Sequence, residues 1–303
     1  MKIYRYSLDK SSKKFVCPRC HKRTFVKFVE NDTGNYLNEE FGRCDRETNC
    51  GYYCTPKTEN NNTFEVECVT LTPPSFHNLE LVDKSMNEYM KNNFIRFLNS
   101  IFPKDAVNNA IRKYFLGTSK FWNGATVFWQ IDINEQVHAG KILQYDLNTG
   151  KRCKTKSGRG LINWVHSVLK IKDFNLNQCL FGLHLISETN QKSVAVVESE
   201  KTAVIMSIFK PNYVWLSTGS KQGLKYEMLK YIKKFKVIAF PDKGEYFDWL
   251  KKAEKLNALG FQIEVNDWLE NLDCVEGTDL ADIYVSDCKE NSQKRIFNHV
   301  YCT

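Results

Sequence analysis

The sequence predicts an α/β protein with a parallel sheet and helices on both faces. An N-terminal zinc ribbon and a small basic α+β subdomain precede that sheet. Three observations predict this. Strands and helices alternate regularly from residue 193 onward, the order expected of a parallel sheet. Six of the eleven cysteines lie within the first 68 residues. Between these regions, two strand-like runs lead into Lys151-Arg152-Cys153-Lys154-Thr155-Lys156-Ser157-Gly158-Arg159, where five of nine residues are cations and none is acidic.

The 303 residues amount to about two domains. Hydrophobic residues make up 42% and charged residues 26%, a globular mix that excludes a mostly disordered chain. No apolar run approaches the roughly 20 residues that span a bilayer. The opening MKIYRYSLDKSSKK has no apolar core of a secretory signal, so a cytoplasmic location without membrane partners is expected. The net charge of +8 suits a polyanionic partner, although solvated lysines also simply keep a protein soluble.

In the ribbon, Cys17-Pro18-Arg19-Cys20 is followed by the strand-like TFVKFV, then by Cys44 and Cys50. Four thiolates in two pairs close a tetrahedron around Zn²⁺. The module has little apolar core, so the metal supplies its folding energy. Cys50 is favoured as the fourth ligand because Gly51 lets the backbone bend around the sulfur; Cys54 and then His21 are the alternatives. The remaining cysteines suit small buried hydrophobes.

The polar run 57–63 and the Thr-Pro-Pro at 72–74 mark a linker and a break. Apolar residues at helical spacing predict a helix over 85–101, including Met86, Met90, Phe94 and Leu98. A second begins at Pro103 and ends at Leu116-Gly117, with Gly117 as the C-cap. Strands are expected at 125–133 and 138–147. The cations of 151–159 sit near Trp122, Trp129, Tyr145 and Trp164. Cations beside aromatic faces suit single-stranded nucleic acid; a solvated loop over a tryptophan-filled core is the bland alternative.

The last third reads strand 193–197, helix 199–208 capped by Ser199, strand 213–216, helix 222–235 and strand 237–240. Helix 245–259, strand 261–265 and a final helix from near Thr278 complete it. Ligands of such sheets bind at the strand C-termini. Glu198 and Asp242 end the first and third strands, and Asp279 and Asp282 follow the fourth. Hard oxygen ligands on one edge suit Mg²⁺, while carboxylates at strand ends also commonly cap helices.

The run VAVVESEKTAVIMS resembles the opening motif of a Toprim domain. LSTGS is similar to its second-strand turn, and VIAFPDKG stands where the Asp-x-Asp strand belongs. EGTDLADIY resembles the downstream acidic segment of bacterial DnaG-type primases. Upstream, CPRC occupies the place of the primase zinc ribbon. FLNSIFPKDAVNNAIRKYFLGTSKFW resembles the helical opening of the catalytic core, and GATVFWQIDINEQVHAGKI the basic subdomain strands. The match runs in order over nearly the whole chain and is nearest to compact zinc-ribbon Toprim proteins of mobile elements such as conjugative transposons. It implies a ribbon over 1–60, a linker and helical segment over 61–118, a basic subdomain over 119–188 and a Toprim domain over 189–303.

One departure concerns Asp-x-Asp. Phe240-Pro241-Asp242-Lys243-Gly244 holds a single aspartate, which fills either position, with Glu245 nearby as a substitute. No GxxxxGK[ST] motif occurs, so any helicase or replication partner is a separate protein. The resemblance implies a nucleotidyltransferase that makes short oligonucleotides from nucleoside triphosphates on single-stranded DNA with Mg²⁺ or Mn²⁺. It gives Asp242 the metal, helped by Asp279 and Asp282, and makes Glu198 a general base or second-metal ligand. Lys141, Lys151, Arg152, Lys154, Lys156 and Arg159 hold template or nucleotide phosphates. A Toprim nuclease and a non-catalytic DNA-binding protein are the alternatives.

Overall fold

The structure is a computed structural model that describes residues 5–46, 50–56, 73–187 and 189–300. It divides into two compact units, 1–73 and 74–303. The expected linker at 57–63 lies outside the described residues, as do Cys68 and Cys302.

The first unit is a four-stranded antiparallel sheet in the order β1-β2-β3-β4. Its strands are β1 (Tyr6–Leu8), β2 (Phe25–Glu30), β3 (Gly42–Cys44) and β4 (Tyr53–Cys54). Its apolar interior is small. One cluster gathers Phe25 with Cys17, Cys44 and Cys50; another gathers Phe28, Phe41 and Cys54. So little buried area leaves most of the folding energy to the metal.

The second unit opens with α1 (Glu80–Ser85), α2 (Asn93–Asn99) and α3 (Lys104–Tyr114). The single helix expected over 85–101 is broken. Asn92, fully buried, caps α2 by accepting from the Ile95 N–H at 3.1 Å. It also donates to the Gly117 carbonyl and accepts from the Thr126 hydroxyl. A buried side chain so engaged fixes the chain in an extended turn at 92 (ψ 113°), and periodicity does not register that. Met90, counted on the apolar face, is 87% exposed. The C-cap of α3 is Phe115, in the left-handed region at φ +50°, rather than Gly117. Gly117 is needed for space: a Cβ there would strike the Ser85 hydroxyl.

An antiparallel sheet follows, with β5 (Gly117–Ser119), β6 (Ala125–Ile131), β7 (Val137–Leu143) and β8 (Ile162–Trp164) in sequential order. The short α4 (Val165–Val168) packs beside β7. Both central strands are buried along their whole length. Trp129 and Tyr145 are 1% and 3% exposed, so the core account holds for these two rings and they offer no face to a base.

The third sheet contains β9 (Ser193–Val197), β10 (Val214–Ser217), β11 (Lys236–Phe240) and β12 (Gln262–Val265). All are parallel, in the order β10-β9-β11-β12. Its helices are α5 (Glu200–Phe209), α6 (Tyr226–Leu229), α7 (Tyr246–Asn257) and α8 (Leu280–Val300). Alternate residues of β9 point to opposite faces. Ala195 and Val197 pack with α5 and α8; Val194 and Val196 pack with α6 and α7. The sheet is therefore covered on both sides, as expected. The helix expected over 222–235 is shorter: α6 passes into a 3₁₀ turn at Lys230–Ile232. Residues 220–225 are taken up by turns around Gly223, which packs tightly on Thr218.

Candidate active site and zinc centre

The register of the parallel sheet builds the acidic edge. Phe240 of β11 pairs with Val197 of β9, so Glu198 and Asp242 leave adjacent strands at neighbouring C-terminal ends. Both are half-buried and line a cleft of ≈ 620 Å³. Tyr145, Arg152, Lys201 and Asp279 line it too. Burial, the facing Asp279 and Glu198, and Asp282 push Asp242 up to about 8, against the pull of Lys201. Burial and Glu245 raise Glu198, against Arg152, Lys221 and Lys141.

The helix-cap account separates these four carboxylates into two pairs. Ser199, as expected, caps α5 by accepting from Thr202 N at 3.1 Å, so Glu198 is not the cap. The residue before α7 is Glu245, and no side chain caps that helix. Asp279 and Asp282 do cap. Asp282 N donates to Asp279 Oδ1 at 2.9 Å, and Asp279 N lies 3.4 Å from Asp282 Oδ2, a reciprocal box at the start of α8. Lys201 then pairs with Asp279 Oδ2 and Asp282 Oδ1, each at 2.8 Å. Asp279 and Asp282, expected to help hold magnesium, thus also serve as a helix cap and as the partners of Lys201.

The turn after β11 is built around Gly244. Gly244 sits at φ +89°, a left-handed backbone that an L side chain adopts only with strain. Lys243 turns away, donating to the Glu270 and Leu272 carbonyls at 2.6 and 2.7 Å. Glu245 pairs with Lys221 at 2.9 Å.

Lys141, expected to hold phosphate, is 6% exposed. Its ammonium donates to Glu200 Oε1 at 2.9 Å, Glu200 Oε2 at 3.2 Å and the Gly219 carbonyl at 2.7 Å. All three donors are taken, so its role is internal. Gly219 N in turn donates to the Glu198 carbonyl at 2.8 Å, and the pair thereby steadies the backbone at Glu198. The other five cations are exposed. Lys151 and Arg152 stand at the cleft. Lys154, Lys156 and Arg159 lie on a hairpin closed by a Lys154↔Gly160 bridge and turned at Gly158 (φ +81°).

Sequence patterning missed Glu200 and Lys201. Their signal was present: two charged residues opening an otherwise apolar helix whose interior had to be buried.

In the ribbon, the sulfurs of Cys17, Cys20, Cys44 and Cys50 all lie within 4.8 Å of one another. Cys17 and Cys50 are 3.6 Å apart, and Cys20 and Cys44 are 3.9 Å apart. Four thiolates about 2.3 Å from Zn²⁺ span tetrahedron edges of about 3.8 Å, so the cage fits zinc. Gly51 takes φ +62°, the bend expected behind Cys50. Cys54 lies in the other cluster, with Phe28 and Phe41, and His21 is outside the group. Burial pushes the Cys50 thiol up to about 12, so metal binding must displace its proton. Among the described residues no other group of three or more Cys, His, Asp or Glu closes to this degree, the acidic edge included. No described helix is long and apolar enough to cross a membrane.

A zinc β-ribbon finger family matches residues 4–65. Similar solved structures include the primase fragment of the bacteriophage T7 primase-helicase. It is 13% identical with a TM-score of 0.42, over 93% of this chain and 98% of that one. The E. coli primase catalytic core is 12% identical with a TM-score of 0.44, over 73% and 82%. The Aquifex aeolicus primase, with its zinc-binding and RNA polymerase domains, is 12% identical with a TM-score of 0.38, over 97% and 80%. No curated protein sequence matches the chain. The family described as domain of unknown function DUF6371 matches residues 92–243; that segment is half of the chain and carries the basic sheet, Glu198 and Asp242, and the protein belongs to that family.

Proposed function

We propose that the protein is a primase-like nucleotidyltransferase of Toprim type. It joins nucleoside triphosphates into short oligonucleotides on single-stranded DNA, in the replication of a mobile element and beside a separate helicase. One observation carries this reading: two half-buried, non-capping carboxylates on adjacent strand ends face a cleft with Lys151 and Arg152 at its wall. Mg²⁺ is commonly held by one or two carboxylates together with substrate phosphates, so Glu198 and Asp242 suffice as its protein ligands. Bound there, the metal lowers the charge of the triphosphate and aligns the attacking hydroxyl.

The residues of the chain supply the rest. Asp242, which holds a proton up to about pH 8, gives it up when a cation enters. Glu198, raised by burial and Glu245, accepts the proton of the attacking hydroxyl. Lys151 and Arg152 hold the triphosphate. Lys154, Lys156 and Arg159 follow the template backbone, and the ribbon grips single-stranded template.

The test is incubation of the full chain with single-stranded DNA, labelled nucleoside triphosphates and Mg²⁺ or Mn²⁺. New oligonucleotides that vanish with Asp242→Asn support the reading; shortened DNA points instead to a nuclease. A second reading, a DNA-binding protein without chemistry, is favoured by Lys201, which already compensates Asp279 and Asp282. Retention of DNA without synthesis or cleavage would establish it.

A further inference from the structure

The acidic cleft contains a cation of its own. Lys201 lies in the first turn of α5, three residues after Glu198. Its side chain is only 11% exposed, and its ammonium bridges two carboxylates, 2.8 Å from Asp279 Oδ2 and 2.8 Å from Asp282 Oδ1. The remaining oxygens of that pair face backbone N–H groups within the capping box. Each of the four oxygens therefore has a partner within the chain, while the Asp282 side chain stays 38% exposed at the cleft. Glu198 and Asp242 differ: among the described residues, burial and neighbouring charges act on them and no side-chain hydrogen bond engages either carboxylate. Among the described residues this second pair has no lysine or arginine bridging it, and uncompensated carboxylate oxygens are what a hard divalent ion takes.

We infer that Lys201 is a resident cation standing in the place of a second metal ion, so that the cleft admits a single divalent cation, at Glu198 and Asp242. The inference rests on the metal-binding reading above. It assigns the four carboxylates two positive partners, one covalently fixed and one exchangeable. A purely structural tie between α5 and α8 would use the same ion pairs but would not control how many metal ions bind.

The experiment counts Mn²⁺ on the full, zinc-loaded chain, by electron paramagnetic resonance of the free ion at equilibrium. The wild type should bind one tight Mn²⁺, lost in Asp242→Asn and kept in Asp279→Asn. Lys201→Met should bind two, and Lys201→Arg should stay at one. Mn²⁺ should also raise the Tm of Lys201→Met by more than that of the wild type, because it replaces the missing charge. Two Mn²⁺ on the wild type, or one on a folded Lys201→Met, overturns the inference. If Lys201→Met does not fold, the wild-type count and the two aspartate variants decide: loss of Mn²⁺ in Asp279→Asn overturns it. If the wild type binds none, the metal-binding reading fails by itself. A Lys201→Met chain that then gains one Mn²⁺ still upholds Lys201 as the resident cation, and one that gains none refutes that as well.

Discussion

Replacing Asp242 by Asn should make the metal-free protein more stable, and more so as pH rises. The carboxyl moves from 3.8 to about 8 in the folded chain, first through burial and then through Asp279 and Glu198. Between those values the native state binds more protons than the unfolded state, so stability falls with rising pH. The loss approaches about 1.4 kcal/mol per pH unit and levels off above about pH 8. From pH 6 to pH 9 the wild type should lose about 2.5 kcal/mol by this group alone. For a unit of this size that lowers Tm by about 5–10 °C. Asp242→Asn removes the ionisation and should flatten the profile, leaving the variant more stable than the wild type at pH 8. Millimolar Mg²⁺ should restore the wild type and do nothing for the variant. The assay is thermal unfolding at several pH values, with and without Mg²⁺, on zinc-loaded protein. A variant less stable than the wild type by about 1 kcal/mol, with an unchanged pH slope, would match a lost helix cap and refute the reasoning.

Cys50→Ser should release zinc, whereas Cys54→Ser should keep it and disturb only the packing with Phe28 and Phe41; metal analysis of the two purified variants distinguishes them. Removing Lys154 and Lys156 together should lower the salt slope of single-strand binding by about 1.4, at about 0.7 per phosphate contact, and an unchanged slope would leave the hairpin a solvated surface. Lys141→Met should leave that slope alone but destabilise by about 3–5 kcal/mol, because Glu200 is stranded as a buried charge. Lys141→Met with Glu200→Leu should recover much of the loss in denaturant titration, and no recovery would mean that the pair does not act as a unit. Ser199→Ala should cost about 1 kcal/mol through the α5 cap, measured by the same titration.

Much of this architecture is legible in residue order because period and punctuation dictate it. The alternation of strands and helices after residue 193 predicts the parallel sheet, and apolar β-branched runs such as Val194–Val197 become its buried strands. The four zinc ligands follow from cysteine spacing and from Gly51. Pattern fails where a single buried polar side chain overrides it. Asn92 breaks a helix that the apolar spacing made continuous. Trp129 faces inward because both central strands of its sheet are covered, and Tyr145, just past β7, packs on Phe94 and Phe128; strand composition does not distinguish either from a stacking surface.

The acidic edge is the more instructive case, because four carboxylates with the same signature have two physical fates. Asp279 and Asp282 stand three apart before a helix, a spacing shared by a metal-binding segment and a capping box. Nothing within residues 278–284 decides between them. The decision lies 81 residues upstream, where Lys201 meets both. Glu198 and Asp242 are separated in the chain yet adjacent through strand register, and among the described residues no lysine or arginine forms an ion pair with either. Low-dielectric surroundings do not tolerate uncompensated carboxylates. Lys201 therefore compensates one of the two charges of the first pair, while burial and neighbouring carboxylates raise both members of the second, which makes the second pair the one whose repulsion a metal ion would relieve. The sequence signal for that division is the opening of α5: Glu200 and Lys201 precede a run of apolar residues that had to be buried, so each required a partner, and Lys141 and the Asp279–Asp282 box provide them.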